Sequence, residues 1–170
     1  MITHPRIILA LILFLCGVSA TAARAQSEME RERLSLQGVD GFYLSLNTVG
    51  DALVQDSLDF EGLHRGLRRT LLEAGLPVWP EGQVTAEDRV PYLHVHVNTV
   101  HAGRGLYPFG VEIRFYQRVR LERDAATPRV AATWATSIVG VASYDNLGII
   151  SEAALNLLDD FVDDFHQINP

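Results

Sequence analysis

An α+β fold is predicted, in which a four-stranded, largely antiparallel sheet carries two helices packed on one face, in the order β-α-β-β-β-α. The clearest observation is strict alternation from Val111 to Glu122, where one face is apolar except for Gln117 and the other is polar. Such period-two alternation indicates a strand with one buried and one solvated face. Two further segments carry apolar residues at helical spacing. Helices with one apolar stripe and strands with one apolar face bury both by packing as two layers.

Residues 1–25 are predicted to be a secretory signal peptide, cleaved after Ala25. Arg6 supplies the positive n-region, and Ile7 to Val18 form the apolar h-region before a small-x-small cleavage site. The alternatives are an uncleaved membrane anchor and a lipoprotein linked through Cys16. Cleavage predicts a periplasmic or secreted protein that keeps no stable membrane span.

The composition limits the classes of function. All 14 basic residues are arginine, and cleavage leaves 12 of them against 21 acidic residues, a net charge of −9 with histidine neutral. Nucleic acid and anionic membrane surfaces are therefore not expected as main partners. Cys16 leaves with the signal peptide, so the mature chain has no disulfide and no thiol chemistry. No cofactor is predicted.

The mature chain is predicted to begin with a flexible N-terminal arm over residues 26–40. This segment is rich in Glu and Arg and has no apolar stripe to bury. A single α+β domain is expected over residues 41–170.

The domain is predicted to open with a strand from Gly41 to Thr48 and a helix from Asp59 to Ala74. Ser57 or Asp59 can cap this helix, and Gly75 can end it in a left-handed conformation. A turn over residues 124–129 is expected before the fourth strand, and Asp145 or Asn146 is expected to cap the second helix. The remaining elements are three strands and that helix: Tyr92 to His101, Leu106 to Arg123, Val130 to Ser143 and Leu147 to Ile168.

Two histidines on the second strand raise the hypothesis of a small-ligand or metal carrier. His94 and His96 share one face of the strand, and His101 follows five residues on. A His-x-His pair on a strand can bind zinc or copper, and Glu112 on the next strand could add a ligand. The alternative is that these histidines are solvated residues on the open face of the sheet.

The acidic run Asp159-Asp160-Phe161-Val162-Asp163-Asp164 contains the pattern DDxxD, which can hold magnesium against a pyrophosphate. It stands near the chain's C-terminus without a second acidic motif, so it is interpreted as a solvated helix face. No nucleophile elbow, phosphate loop or HExxH motif occurs in the chain. The sequence therefore predicts a protein that is not an enzyme.

The polar face of the third strand is the strongest candidate binding surface. It carries Arg114, Tyr116, Arg118 and Arg120, and is expected to adjoin His94, His96 and Asn98 of the second strand. Arginine and tyrosine are favoured at protein interfaces. The alternative is an ordinary solvated face on which the arginines pair with glutamates. The expected partner is an envelope protein or a second copy, bound through this face or a free sheet edge.

Several segments of the domain share features with known proteins. They are Tyr92-Leu-His-Val-His-Val-Asn-Thr, Tyr107-x-Phe-x-Val-Glu-Ile, Ala132-Thr-Trp-Ala-Thr-Ser-Ile-Val-Gly, Asn146-Leu and the terminal Leu158-x-x-x-Val-x-x-Phe-x-x-x-Asn-Pro. Together they resemble a family of small secreted proteobacterial proteins whose function is unknown, so the resemblance implies no activity. Histidines at the positions of His94 and His96 are not part of that family's pattern, and this difference weakens the metal hypothesis. The element order also resembles envelope accessory domains of the LptE and TolB N-terminal kind.

Overall fold

The computed structural model describes residue 27 and residues 29–50, 58–80 and 90–170. The predicted signal peptide and its cleavage site lie outside the described residues, as does the candidate cap Ser57.

The described chain contains three helices and four strands. Helix α1 covers residues 29–34, α2 is Phe60–Glu73 and α3 is Gly148–Ile168. The strands are β1, Tyr43–Gly50; β2, Tyr92–Thr99; β3, Leu106–Leu121; and β4, Asp124–Ser143. The predicted α+β class and the predicted order of the main elements are confirmed.

The four strands form one open sheet in the order β1-β2-β3-β4. β1 runs parallel to β2, and the two later pairs are antiparallel. The parallel pair needs a crossover, which α2 supplies, whereas short turns join the antiparallel strands. The sequence left the strand order open, and pairing between distant residues decides it.

Aromatic rings fill the core between the sheet and the helices. Phe42, Phe115 and Phe161 are all fully buried, and the ring of Phe42 lies 5.5 Å from Phe115 and 5.6 Å from Phe161. Trp134 of β4 adds an edge-on contact to Phe161 at 5.0 Å. The inward face of β3 therefore packs against α3, as the alternating pattern predicted.

β4 begins earlier than predicted. It starts at Asp124 rather than Val130 and includes Pro128, so the predicted turn over 124–129 was wrong. Leu121 pairs with Asp124, which leaves a much shorter turn between β3 and β4. Proline is tolerated here because β4 is an edge strand, where one row of backbone N–H groups has no neighbour to pair with.

The ends of α2 follow the prediction. Asp59 caps the helix by accepting a hydrogen bond from the Gly62 N–H at 2.7 Å. Gly75 takes a φ of 78°, and the N–H of Leu76 reaches back to the Leu71 carbonyl at 3.0 Å. This backbone pattern satisfies the last carbonyls of a helix and favours glycine at its left-handed position.

The predicted side-chain cap of α3 was wrong. Neither Asp145 nor Asn146 caps the helix; a 3₁₀ turn over Tyr144–Asn146 leads into it instead. The N–H of Ile150 bonds to the Leu147 carbonyl at 3.1 Å, so the backbone itself satisfies part of the first turn.

The N-terminal segment is packed against the domain, contrary to the flexible arm predicted over 26–40. Residues 29–34 are helical, and Leu36 is fully buried. Arg33 binds the Asp164 carboxylate of α3 at 2.8 Å, and the Gly38 N–H donates to Asn169 at 2.8 Å. All of these partners are distant in sequence, so the local pattern of the segment carries no sign of them.

Candidate functional site

The candidate site lies on the face of the sheet opposite α2 and α3. Residues of β2 alternate between buried side chains such as Leu93 and Val95 and half-buried ones such as His94. The register sets His94 opposite Arg114, His96 opposite Glu112 and Tyr92 opposite Tyr116. The predicted adjacency of the polar faces of β2 and β3 is therefore confirmed. We call this cluster the polar patch; its members are Asn47, Tyr92, His94, His96, Glu112, Arg114 and Tyr116.

Stacked rings give the polar patch a defined shape. Tyr92 and Tyr116 stack across β2 and β3 with ring centres 4.8 Å apart and an interplanar angle of 12°. His94 and His96 are also near-parallel, at 6.1 Å and 18°. Beside them is a shallow recess of about 330 Å³ whose polar lining includes Asn47 of β1. Rings held by their neighbours lose little conformational entropy when a partner docks.

Arg114 lies at the centre of the polar patch. Its Nη2 binds Glu112 Oε1 at 2.6 Å, and its Nη1 donates to the Tyr116 hydroxyl at 3.5 Å. These hydrogen bonds, to Tyr116 first and Glu112 second, raise the pKa of Arg114, so it stays cationic. The alternative interpretation of this face was that its arginines pair with glutamates. Arg114 does so, with Glu112 two residues before it on the same strand. The side chain nevertheless remains 43% exposed, which leaves donors that can reach an incoming acceptor.

The polar patch lowers the pKa of His94. Burial lowers the pKa of its imidazole below 6.5, and the neighbouring His96 and Arg114 lower it further, whereas Glu112 acts in the opposite direction. Its Nδ1 lies 3.3 Å from the Ser45 hydroxyl of β1. His94 is therefore mainly neutral at neutral pH and can either donate or accept a hydrogen bond.

In an NMR titration, the midpoint of His94 is expected below 6.5. Replacing His96 with Gln should raise that midpoint, because the repulsion between two imidazoliums disappears. His101→Gln is the matched control and should leave it unchanged. Because the folded protein protonates His94 less readily than the unfolded chain does, this group costs stability as the pH falls below about 6.5. A His94 midpoint above 6.5 would contradict the geometry.

Arg118 and Arg120 do not join Arg114 and Tyr116 in the patch. The last pair between β2 and β3 is Tyr92 with Tyr116, so β3 beyond this point pairs with β4 alone. Both arginines are exposed on this two-stranded extension. The register of β3 and β4 also shifts after Phe115, which bends the ribbon away from the regular sheet. The predicted surface therefore divides into a patch beside β2 and a more distant basic ribbon.

His101 lies apart from the other two histidines. Its ring stacks on Tyr107 at 5.1 Å and 21°, and Tyr107 is buried on the helix-covered face. Among the described residues, no group of three or more His, Cys, Asp or Glu side chains could hold a metal ion. The fold therefore does not place His101 beside His94 and His96, whereas Glu112, the other ligand considered, lies opposite His96 on β3.

Sequence reasoning missed Tyr92 and Asn47 as members of the site. Tyr92 opens β2 at a position two residues before His94, so the strand's own alternation places it on the polar face. Asn47 belongs to β1, opposite His96 in the parallel pair. Its membership depends on β1 lying next to β2, which the strand order alone reveals.

The comparisons with known proteins are distant. No family model matches the chain, and no curated protein matches it. A proposed neuraminyllactose-binding hemagglutinin homologue from Helicobacter pylori is similar in structure at 7% identity and a TM-score of 0.42, over 75% of this chain and 84% of that one. Lipoprotein GNA1162 from Neisseria meningitidis is similar at 15% identity and a TM-score of 0.37, over 71% of this chain and 98% of that one. Likenesses this weak carry no functional argument.

None of the helices in the described part of the chain is both long and apolar enough to cross a membrane.

Proposed function

We propose that this protein is a non-enzymatic periplasmic accessory domain that binds an envelope protein through the polar patch. The observation that carries the proposal is the gathering of Arg114, two tyrosines and two histidines on the sheet face opposite the helices. The secretory signal predicted for residues 1–25 supports the periplasmic location. The absence of a catalytic motif from the sequence favours a binding role.

The chemistry of the patch suggests the chemistry of its partner. Arg114 offers planar donors that match a carboxylate, and the Tyr92–Tyr116 stack offers a flat apolar surface with polar edges. A partner segment with an acidic side chain next to an aromatic or aliphatic one fits both features. Tyrosine and arginine are also the residue types that most often dominate binding energy at interfaces.

The proposal is tested by reversing charge on this face. The variant Arg114→Glu is expected to reduce capture of the partner from envelope extracts at least tenfold, because a loss of about 1.4 kcal/mol suffices. The matched control is Arg69→Glu, which makes the same change of charge at an exposed position of α2. Capture is quantified by mass spectrometry after crosslinking, and thermal unfolding is measured for each variant.

The control should capture the same protein as the unmodified chain, and all three forms should unfold within a few degrees of each other. Equal capture by the patch variant and the control would contradict the proposal. Unfolding of the patch variant alone would show that this face is a structural part of the domain instead.

A further inference from the structure

The outer edge of β4 has no strand beside it among the described residues. β4 is the last strand of the sheet, and β3 occupies its inner edge. Near its middle, the Thr133 carbonyl accepts a hydrogen bond from the Ser35 hydroxyl at 3.1 Å, so the N-terminal segment reaches the strand there. From residue 135 to residue 143, no hydrogen bond from another element of the described chain reaches the outer backbone.

The register shows which backbone groups of β4 point outward. The N–H of Tyr144 bonds to the Gly105 carbonyl at 2.9 Å, and Pro108, which has no N–H, lies opposite Val141. Hydrogen-bonded and non-bonded pairs alternate along an antiparallel ladder. Even-numbered residues of this stretch therefore bond to β3, and the odd-numbered ones direct their N–H and C=O groups outward. The outward row is Ala135, Ser137, Val139, Val141 and Ser143.

This edge lacks the devices that usually keep sheet edges apart. No charged residue occurs between Arg129 and Asp145. Pro128 and the extra residue at Thr133, where the register with β3 shifts, both precede the free stretch. The side chains along it are all uncharged, and its valines are accessible, with Val139 83% exposed and Val141 58% exposed. An uncharged, regular and exposed edge is a template for pairing with another strand.

A second copy of this chain is the occupant that fits best. The mature chain carries a net charge of −9, so two copies repel over most of their surfaces. At the uncharged edge, two copies can approach closely without bringing like charges together. When β4 pairs antiparallel with β4 of a second copy, odd-numbered residues lie opposite odd-numbered ones. Each face of the sheet therefore continues across the seam between the two copies.

The helix-covered side of the edge supports the same occupant. A groove of about 600 Å³ runs between β4 and α3, lined on its apolar walls by residues that include Ile138, Ile149 and Leu157. Ile138 is 45% exposed although it lies on the side of the sheet that the helices cover. In a two-fold pairing, the grooves of both copies meet above the seam and become buried together.

We propose that residues 135–143 of β4 pair antiparallel with the same residues of a second copy, which joins two four-stranded sheets into one eight-stranded sheet. The two-fold arrangement closes on itself, so it forms a dimer and not a filament. It goes beyond the proposed function because it uses the sheet edge and leaves the polar patch accessible on the open face.

The test measures the mass of the mature protein by sedimentation velocity from about 1 to 100 μM. A dimer that dissociates on dilution is expected, and Val139→Lys should raise its Kd at least tenfold by placing two like charges at the seam. The matched control is Val130→Lys, on the same strand at a 50% exposed position outside the paired stretch. The control should dimerise as the unmodified chain does.

A crosslink gives an independent measurement. The mature chain is predicted to have no cysteine, so a single Ser137→Cys or Val139→Cys variant should form a disulfide-linked dimer under mild oxidation. Thr127→Cys, exposed on the same strand before the bulge, should not. Because equivalent residues of the two copies lie close only near the two-fold axis, the better-linked position also locates that axis.

A monomer at every concentration would overturn the proposal, as would equal effects of Val139→Lys and Val130→Lys. Open-ended polymers would also overturn it, because they require a contact between different edges. The variant Arg114→Glu should dimerise normally, so failure of dimerisation and failure of partner capture are distinguishable.

Discussion

Replacing Phe161 with alanine is expected to lower the free energy of unfolding by about 3–5 kcal/mol. Phe161 is fully buried, and its ring touches those of Phe42, Phe115, Trp134 and Phe165 at centre-to-centre distances between 5.0 and 6.0 Å. Phe42 directly precedes β1, and the other three neighbours belong to β3, β4 and α3. Truncation therefore opens a cavity at the point where the sheet and α3 meet, and rings fixed by several elements cannot collapse into it.

Urea unfolding monitored by far-UV circular dichroism measures this loss. Leu72→Ala is the control, because Leu72 is 48% exposed on α2 and its truncation leaves no buried cavity. We expect the control to change stability by about 0.5 kcal/mol or less. A loss below about 1 kcal/mol in Phe161→Ala would mean that the core closes around the missing ring.

Replacing Asp164 with alanine is expected to cost about 2 kcal/mol and to release the N-terminal segment. The carboxylate accepts from Arg33 Nε at 2.8 Å and from Trp134 Nε1 at 2.9 Å. Both oxygens are used, and the side chains of Arg33 and Asp164 are only 20% and 24% exposed. Removing the acceptor leaves the indole N–H without this partner and the partly buried guanidinium with only its contact to Glu30 at 3.3 Å, which costs more than an exposed ion pair contributes.

Hydrogen exchange at residues 29–37 distinguishes this role from a general loss of stability. In the Asp164→Ala variant, hydrogen exchange at residues 29–37 should accelerate more than hydrogen exchange in α2 does. Asp163→Ala is the control, because the neighbouring Asp163 is exposed and should be nearly neutral on substitution. Equal protection of residues 29–37 in both variants would show that the ion pair does not hold the segment.

Asp164 also corrects the interpretation of the acidic run. That run was interpreted as a solvated helix face, and Asp163 conforms to this because it is exposed. Asp164, one residue further along the helix, instead joins α1 to β4. A pattern of charges on one helix cannot show which of them meets an arginine 131 positions away in the chain.

Periodicity in the sequence was enough to predict the layers of this fold. Alternation along β2 and β3 assigned the apolar and polar faces correctly, because burial on one side of a sheet forces period two. The 3.6-residue stripes located α2 and α3, and local capping chemistry at Asp59 and Gly75 located the ends of α2. These features depend on neighbours within a few positions, which a sequence displays directly.

The sequence alone therefore determined which side chains share a face, so that His94 and His96 lie beside the polar side chains of β3 once β2 and β3 form a hairpin. Only the tertiary structure decided how far each face extends. The end of β2 at Thr99 separates His101 from the other histidines, and the register shift at Thr133 separates Arg118 from Arg114. The position of β4 at the sheet edge likewise depends on strand order. Contacts between distant segments are set by the packing of the whole chain, so local residue patterns do not encode them.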